Sequence, residues 1–287
     1  MKIKQIIGVA GVIFLIATCL AIISPTASKI ATSEQDTDEI IEYANSSTQM
    51  DETEKNAIIE KWTDYNQKLV KGQRFKTEEQ LEEEYFSLIE GDRKIVGYVE
   101  VPRINVNVPI HLGTDKETLY RYAGHMPNTS MPIGGDSIHS VISAHTAYPG
   151  RRFFDDLPEM KKDDKFSITV LDQKMTYKVI KTVTVKPEDM SELAIQNNKN
   201  LVSLVTCFPY AINTHRLIVT GELINTESAI APEEISKIKI MDQPIDYVKQ
   251  YWPVFVAIGV GILCTIIAII LWLIHNHKLK KKLQIYK

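Results

Sequence analysis

Apolar and polar positions along the chain fall into three regimes. The first is near-continuous apolarity: Ile6–Ile23, preceded by Lys2 and Lys4, and Pro253–Ile274, which carries no charge and is followed by Lys278, Lys280, Lys281, Lys282 and Lys287. The second is a helical period. Over Asp51–Leu69 the apolar residues Ile58, Ile59, Trp62, Tyr65 and Leu69 recur at three-to-four spacing, which predicts an amphipathic helix. A second helix is predicted over Thr77–Ile89, where Leu81, Tyr85, Leu88 and Ile89 form the apolar face. Thr77 and Gln80 resemble a capping box there, and Glu78 and Glu79 suit a first turn. The third regime begins at Ile95 with a period of two. Val96, Tyr98 and Glu100 alternate with Gly97, Val99 and Val101, and Ile104, Val106, Val108 and Ile110 follow in the same rhythm. Ser137–Ala144 predicts another strand, and Phe166–Leu171 with Met175–Val185 a hairpin. Leu201–Thr206 and Leu217–Thr220 predict a second hairpin around Phe208–Thr214. Thr114–His125 reads as mixed with a short helix, Asn128–Asp136 as loop, and Pro187–Ile195 as one or two helical turns. Many short strands separated by turns predict a mainly β barrel or sandwich.

Each terminal apolar run is long enough to cross a bilayer, which takes about 20 apolar residues. Their flanking lysines place both termini in the cytoplasm and residues 25–252 outside. The first run also fits a signal peptide, although Pro25 makes the following stretch a poor cleavage site. The net charge of −3 conceals an asymmetry: seven of the 33 Lys and Arg flank the terminal runs, and all 36 Asp and Glu lie between them. A strongly acidic middle argues against a nucleic-acid binder, which needs a basic surface. Residues 25–50 are polar and read as a stalk or the start of a helix, and 226–252 as a linker to the second apolar run.

Cysteine placement narrows the chemistry. Cys19 and Cys264 fall inside the apolar runs, so Cys207 is the one thiol of the external part and has no disulfide partner there. An antiparallel pairing of the second hairpin sets Cys207 across from Arg216, and a fixed cation beside a thiol favours the thiolate. The competing reading is a small buried hydrophobe. Five histidines lie in the external part, between the apolar runs: His111, His125, His139, His145 and His215. In a strand His215 points away from Arg216, while His145 sits at a strand end before a loop, where sites tend to form. No His pair has metal-ligand spacing beside a carboxylate or Cys, and no phosphate-binding glycine loop is present. The expected cofactor and metal content is none.

The residues that carry a family resemblance are Gly97-Tyr-Val-Glu-Val-Pro-Arg-Ile-Asn-Val, Val108-Pro-Ile-His-Leu-Gly-Thr, Gly124-His-Met-Pro-Asn-Thr-Ser-Met-Pro-Ile-Gly-Gly, Val141-Ile-Ser-Ala-His-Thr and Leu204-Val-Thr-Cys-Phe-Pro-Tyr-Ala-Ile-Asn-Thr-His-Arg-Leu. They resemble the class C, pilin-assembling sortases, membrane-anchored cysteine transpeptidases of Gram-positive bacteria. The resemblance spans roughly residues 93–223. It implies a closed β-barrel of about eight strands, N-terminal helices and two terminal transmembrane helices. The implied organisation is a signal or transmembrane segment (1–24), a helical region (25–92), the catalytic barrel (93–225), a linker (226–252), a transmembrane helix (253–275) and a basic cytoplasmic tail (276–287). It implies a triad of His145, Cys207 and Arg216, acting between Thr and Gly of an LPxTG-type sorting signal on pilin or surface proteins. The enzyme then sits in the cell membrane with its catalytic domain outside. An anchoring sortase that uses a cell-wall precursor, a membrane-bound cysteine protease and a non-enzymatic assembly module are the alternatives. Two departures stand out. Lys71–Thr77, where many class C sortases carry an Asp-Pro-aromatic lid, has no Asp-Pro; Phe75 is the one aromatic there, which predicts a lidless or weakly gated site. After the His, the family's usual His-Arg-Gly-Leu-Pro is replaced by His145-Thr-Ala-Tyr-Pro, so Thr146 and Tyr148 reshape the groove.

Overall fold

The computed structural model describes residues 35–90, 94–148, 151 and 153–229, with Val256, Gly259 and Gly261. The segments expected to cross or flank the membrane (1–24, 253–275 and 276–287) lie outside the described residues, apart from those three positions. Among the described residues no helix is long and apolar enough to cross a membrane.

Eight strands close into a barrel: β1 (Ile95–Val101), β2 (Val106–Leu112), β3 (Ala123–His125), β4 (Ile138–Ser143), β5 (Lys165–Val170), β6 (Gln173–Val185), β7 (Asn200–Phe208) and β8 (His215–Ser228). Their order around the barrel is β1-β2-β3-β4-β7-β8-β6-β5, with β5 returning to β1. The β2–β3 and β4–β7 pairs are parallel and the other pairs antiparallel. Closure leaves no open sheet edge. The interior is packed with Val99, Ile110, Ile142, Phe166, Ile168, Tyr177, Val202, Leu204 and Val219, all essentially buried. Gly221 makes room for the stacked Phe166 and Tyr177 rings (5.5 Å): a Cβ there would lie 2.6 Å from the Phe166 ring.

Four details sharpen or shift the sequence expectation. A 3₁₀ turn at Pro102–Ile104 ends in a left-handed Asn105 (φ 52°), so β2 starts at Val106 rather than Ile104. Thr114–His125 resolves into α4 (Lys116–Arg121) followed by β3, a strand too short to show a period. Pro187–Ile195 holds one 3₁₀ turn, Ser191–Leu193. β8 runs on to Ser228, past the expected barrel end at 225, because the long β6 supplies partners down to Gln173–Ser228.

Ahead of the barrel lie α1 (35–49) and α2 (Glu52–Val70). The polar 25–50 stretch is therefore helical where it is described. Asp51 closes a capping box with Glu54 at the start of α2. The segment from Thr77 is also capped by Gln80, but it is not one regular helix: α3 (Glu78–Gln80) widens into a π turn (Leu81–Tyr85) and tightens into 3₁₀ (Phe86–Leu88). The wide turn carries the fully buried Tyr85 to the barrel. There the Gly113 N–H donates to its Oη (2.9 Å), and the phenol donates to the His125 carbonyl (2.7 Å), close to the ring Nδ1 (3.0 Å).

Asn66 locks α2 to the loop before β4. Its Nδ2 donates to the Met131 carbonyl (3.0 Å), and the Met131 N–H donates to its Oδ1 (2.7 Å). Asn66→Ala leaves both Met131 groups buried without a partner, so the unfolding free energy falls by about 2–4 kcal/mol; denaturant unfolding that shows a lower midpoint at unchanged slope checks this.

His125 is held neutral. Its Nε2–H donates to the Ser130 carbonyl (2.9 Å), and burial pushes its pKa down to about 4. The unfolded chain binds that proton near the ordinary His value, so the stability His125 contributes is present at neutral pH and is lost as pH falls from about 6.5 towards 4. Asp36 acts in the opposite sense: burial raises its pKa to about 6 despite the Arg151 guanidinium. The comparison that isolates His125 is wild type against His125→Gln. Their difference in unfolding free energy shifts against wild type by about 2–3 kcal/mol between pH 7 and pH 4.5.

Candidate functional site

The antiparallel β7–β8 pair fixes the geometry of the site. Its register matches Ser203 with Thr220, Val205 with Ile218, Cys207 with Arg216 and Phe208 with His215. Side chains alternate across the sheet. Val202, Leu204 and Phe208 belong to the barrel interior, whereas Val205 and Ile218 pack with Val141 and Leu193 in a separate cluster on the outer face. Cys207 and Arg216 share the parity of Val205 and Ile218 and lie on that outer face. His215 lies on the other.

His145 arrives from the parallel neighbour. β4 pairs with β7 at a constant offset, ending with Ser143 beside Val205. The Ala144 N–H then donates to the Val205 carbonyl (3.1 Å), and Thr206 Oγ1 donates to the Ala144 carbonyl (2.7 Å). The same offset carried on sets His145 beside Cys207, on the parity of Val141. The sheet thus brings together the three residues singled out in the sequence, at one end of one face.

Beneath them the face is layered. The apolar layer of Val141, Val205, Ile218 and Leu193 forms the floor, flanked by Met126, Val183 and Val185. Below it lies a hydrogen-bonded chain from Thr220 Oγ1 through Ser203 Oγ (2.8 Å) and His139 Nε2 (2.8 Å) to the Ala194 carbonyl, which His139 Nδ1 meets at 2.9 Å. A carbonyl only accepts, so Nδ1 carries the hydrogen. Nε2 then accepts from Ser203, which accepts from Thr220. His139 is buried, which lowers its pKa below the ordinary His value. Its role is to anchor the β6–β7 loop that places Leu193 on the floor. Parity groups His139 with His145, and only the strand-end position separates them in the sequence.

Cys207 is half-buried and carries a free thiol. Among the described residues the Arg216 guanidinium donates only to carbonyls of its own turn, those of Asn213 (3.3 Å) and His215 (3.0 Å), and pairs with no carboxylate. It therefore brings uncompensated positive charge beside the thiol. His145 is half-buried, and burial lowers its pKa, so the ring is neutral at neutral pH. The rim carries exposed apolar side chains: Tyr210 and Ile212 in the β7–β8 turn and Met190 in the β6–β7 loop. No group of metal-ligating residues occurs among the described residues. A cleft of about 600 Å³ between α1 and α2, lined by Tyr43, Met50, Ile58 and Trp62, includes none of the three residues.

The Lys71–Thr77 segment is fastened through Phe75. Phe75 stacks on Tyr65 (5.7 Å). Its N–H donates to Asn128 Oδ1 (2.7 Å), and Asn128 Nδ2 donates back to its carbonyl (2.9 Å). Among the described residues Phe75 forms no hydrogen bond with Cys207, His145 or Arg216 and no ring stack with His145.

Known proteins share this fold. The sortase-domain family model matches residues 99–224. Sortase C1 from Streptococcus agalactiae superposes with a TM-score of 0.62 at 36% identity, over 66% of this chain and 98% of that one. Clostridium perfringens sortase C, solved with the C-terminal cell wall sorting motif, gives 0.58 at 34% identity, over 66% and 98%. Streptococcus pneumoniae sortase C, described with its pilin substrate specificity, gives 0.58 at 34%, over 67% and 99%. The chain spans 55% and 58% of the length of two curated sortases it matches. With a barrel match that covers nearly the whole of each solved sortase C at more than 30% identity, the chain belongs to the sortase family.

Proposed function

We propose that the protein is a class C cysteine transpeptidase that joins pilin subunits at the cell surface, anchored in the membrane by residues 6–23 and 253–274. The observation that carries the reading is the convergence of Cys207, Arg216 and His145 on one outer face of the barrel, with Cys207 and Arg216 directly opposite each other in the β7–β8 register. Cys207 Sγ attacks the Thr carbonyl of an LPxTG-type signal. Neutral His145 takes the thiol proton and passes it to the departing Gly amine, leaving a thioester on Cys207. A Lys amine of the next subunit attacks the thioester, His145 accepts its proton, and the isopeptide forms as the Cys207 thiol is regenerated. Arg216 faces the position where negative charge builds on the carbonyl oxygen, and its planar set of donors stabilises that charge. The acidic middle of the chain suits work outside the cytoplasm, and the groove floor is apolar, as an extended peptide with Leu and Pro side chains requires.

The defining experiment incubates the detergent-solubilised full chain with an LPxTG-type peptide, with and without an added primary amine. Wild type forms a Cys207 thioacyl adduct by mass spectrometry and converts it to the amide when amine is present. Hydrolysis that ignores added amine would instead mark a protease, and absence of any adduct would contradict the reading. Cys207→Ala lowers turnover by about four orders of magnitude or more. Arg216→Lys keeps the charge but loses the fork of donors, and kcat falls about 10²–10³-fold.

Phe75→Ala leaves the peptide-cleavage rate within about twofold of wild type, because Phe75 is seated on Tyr65 and Asn128. A large activation in the same assay would mean that Lys71–Thr77 closes over the site.

A further inference from the structure

His145 lacks the partner that usually orients a catalytic imidazole. Among the described residues no hydrogen bond reaches either ring nitrogen, so no carboxylate or carbonyl fixes the plane of the ring. In triad-type sites a third group supplies that fix. What lies on His145 is an aromatic ring. Tyr148 stacks on it with centroids 5.1 Å apart and planes 14° from parallel. Tyr148 is in turn met edge-on by Tyr120 from α4, at 5.5 Å and 87°.

The backbone is built to deliver this stack. Ala147 adopts a left-handed conformation (φ 57°), which folds Tyr148 back over His145. The Asp155 carboxylate holds that turn, accepting from the Ala147 N–H (3.0 Å) and the Phe153 N–H (3.1 Å). The Phe154 N–H donates to the His145 carbonyl (3.1 Å) and closes the loop onto its own start. Tyr120 is 53% exposed, so the outer rung of the three-ring ladder faces solvent. Burial is also what lowers the His145 pKa, and the stacked ring contributes to that burial.

We propose that Tyr148 is a positioning residue: its ring, braced by Tyr120, holds the His145 imidazole in the plane that serves Cys207 and leaves both ring nitrogens available for proton transfer. The inference rests on His145 being the proton carrier of the proposed reaction. A stacked ring suits this task because it restrains the imidazole plane through its face and occupies neither nitrogen. It does the orienting work of a hydrogen-bonded partner, and it tolerates a change of protonation state at either nitrogen.

The test compares wild type with Tyr148→Ala, Tyr148→Phe and Tyr120→Ala in the detergent-solubilised full chain. Two readouts are taken. The first is the ¹³C–¹H spectrum of the histidine rings, with His145 assigned through His145→Gln. The second is kcat and KM for sorting-peptide cleavage. Tyr148→Ala removes the ring current and shifts the His145 ring protons downfield. It also lowers kcat about tenfold with KM within about twofold. Tyr148→Phe keeps the ring and retains wild-type values in both, and Tyr120→Ala gives a smaller change of the same sign. Buried His125 and His139 report the fold in the same spectrum. Where Tyr148→Ala disturbs them, Tyr148→Leu, which fills the space without a ring, is read by the same criteria. The proposal is overturned if the ringless variant leaves the His145 signals or kcat at wild-type values, or if Tyr148→Phe loses as much as Tyr148→Ala. The spectra need no substrate. A wild type that cleaves no sorting peptide overturns the proposed reaction, whereas the dependence of the His145 signals on Tyr148 is decided separately.

Discussion

The register of one strand pair governs this molecule. Cys207 faces Arg216 because Val205 packs beside Ile218 and Ser203 bonds to Thr220 further down the same two strands. A slip of one residue would move every side chain of β7 to the opposite face, burying Cys207 in the barrel and exporting Phe208 and Leu204. The hydrophobic cost of such a slip protects the Cys207–Arg216 pairing. The site is thus secured by apolar packing two residues away and a hydrogen bond four residues away on its own face, and by the barrel core on the other.

The remaining elements supply what that pair cannot. The parallel β4 brings His145 alongside, and parallel pairing demands a long crossover between β4 and β7. That crossover contains the β5–β6 hairpin, which closes the barrel, and the loop whose Leu193 covers the outer floor. His139 ties this loop down through Ala194, using a buried neutral imidazole where His145 uses a half-buried one. The N-terminal helices are fastened by polar bridges to buried backbone, through Asn66 to Met131 and Tyr85 to Gly113 and His125.

Much of this was legible in the residues. The β7–β8 hairpin, the facing of Cys207 and Arg216 and the exclusion of His215 follow from alternation alone. The capping boxes at Asp51 and Thr77 are local signals, although only the second was read from the sequence. Three features were hidden for physical reasons. β3 is three residues long and shows no period. The π turn at Leu81–Tyr85 is set by where Tyr85 must reach, a tertiary demand invisible to local pattern. The parallel β4–β7 pair joins segments far apart in the chain, Ile138 with Asn200 through Ser143 with Val205, so barrel and sandwich stayed equivalent until the family resemblance chose between them. Tyr148 stood out in the sequence as a departure from the family pattern, but only its stacking on His145 says what it does.

The central claim, that the fold sets Arg216 across from Cys207 on one outer face, can be measured without substrate. In an antiparallel pair facing Cα atoms lie about 4.5–5.5 Å apart, within disulfide reach. Arg216→Cys should form an intramolecular disulfide with Cys207 under mild oxidation, whereas His215→Cys, on the opposite face, should not. A bridge that forms from position 215 and not from 216 would contradict the account.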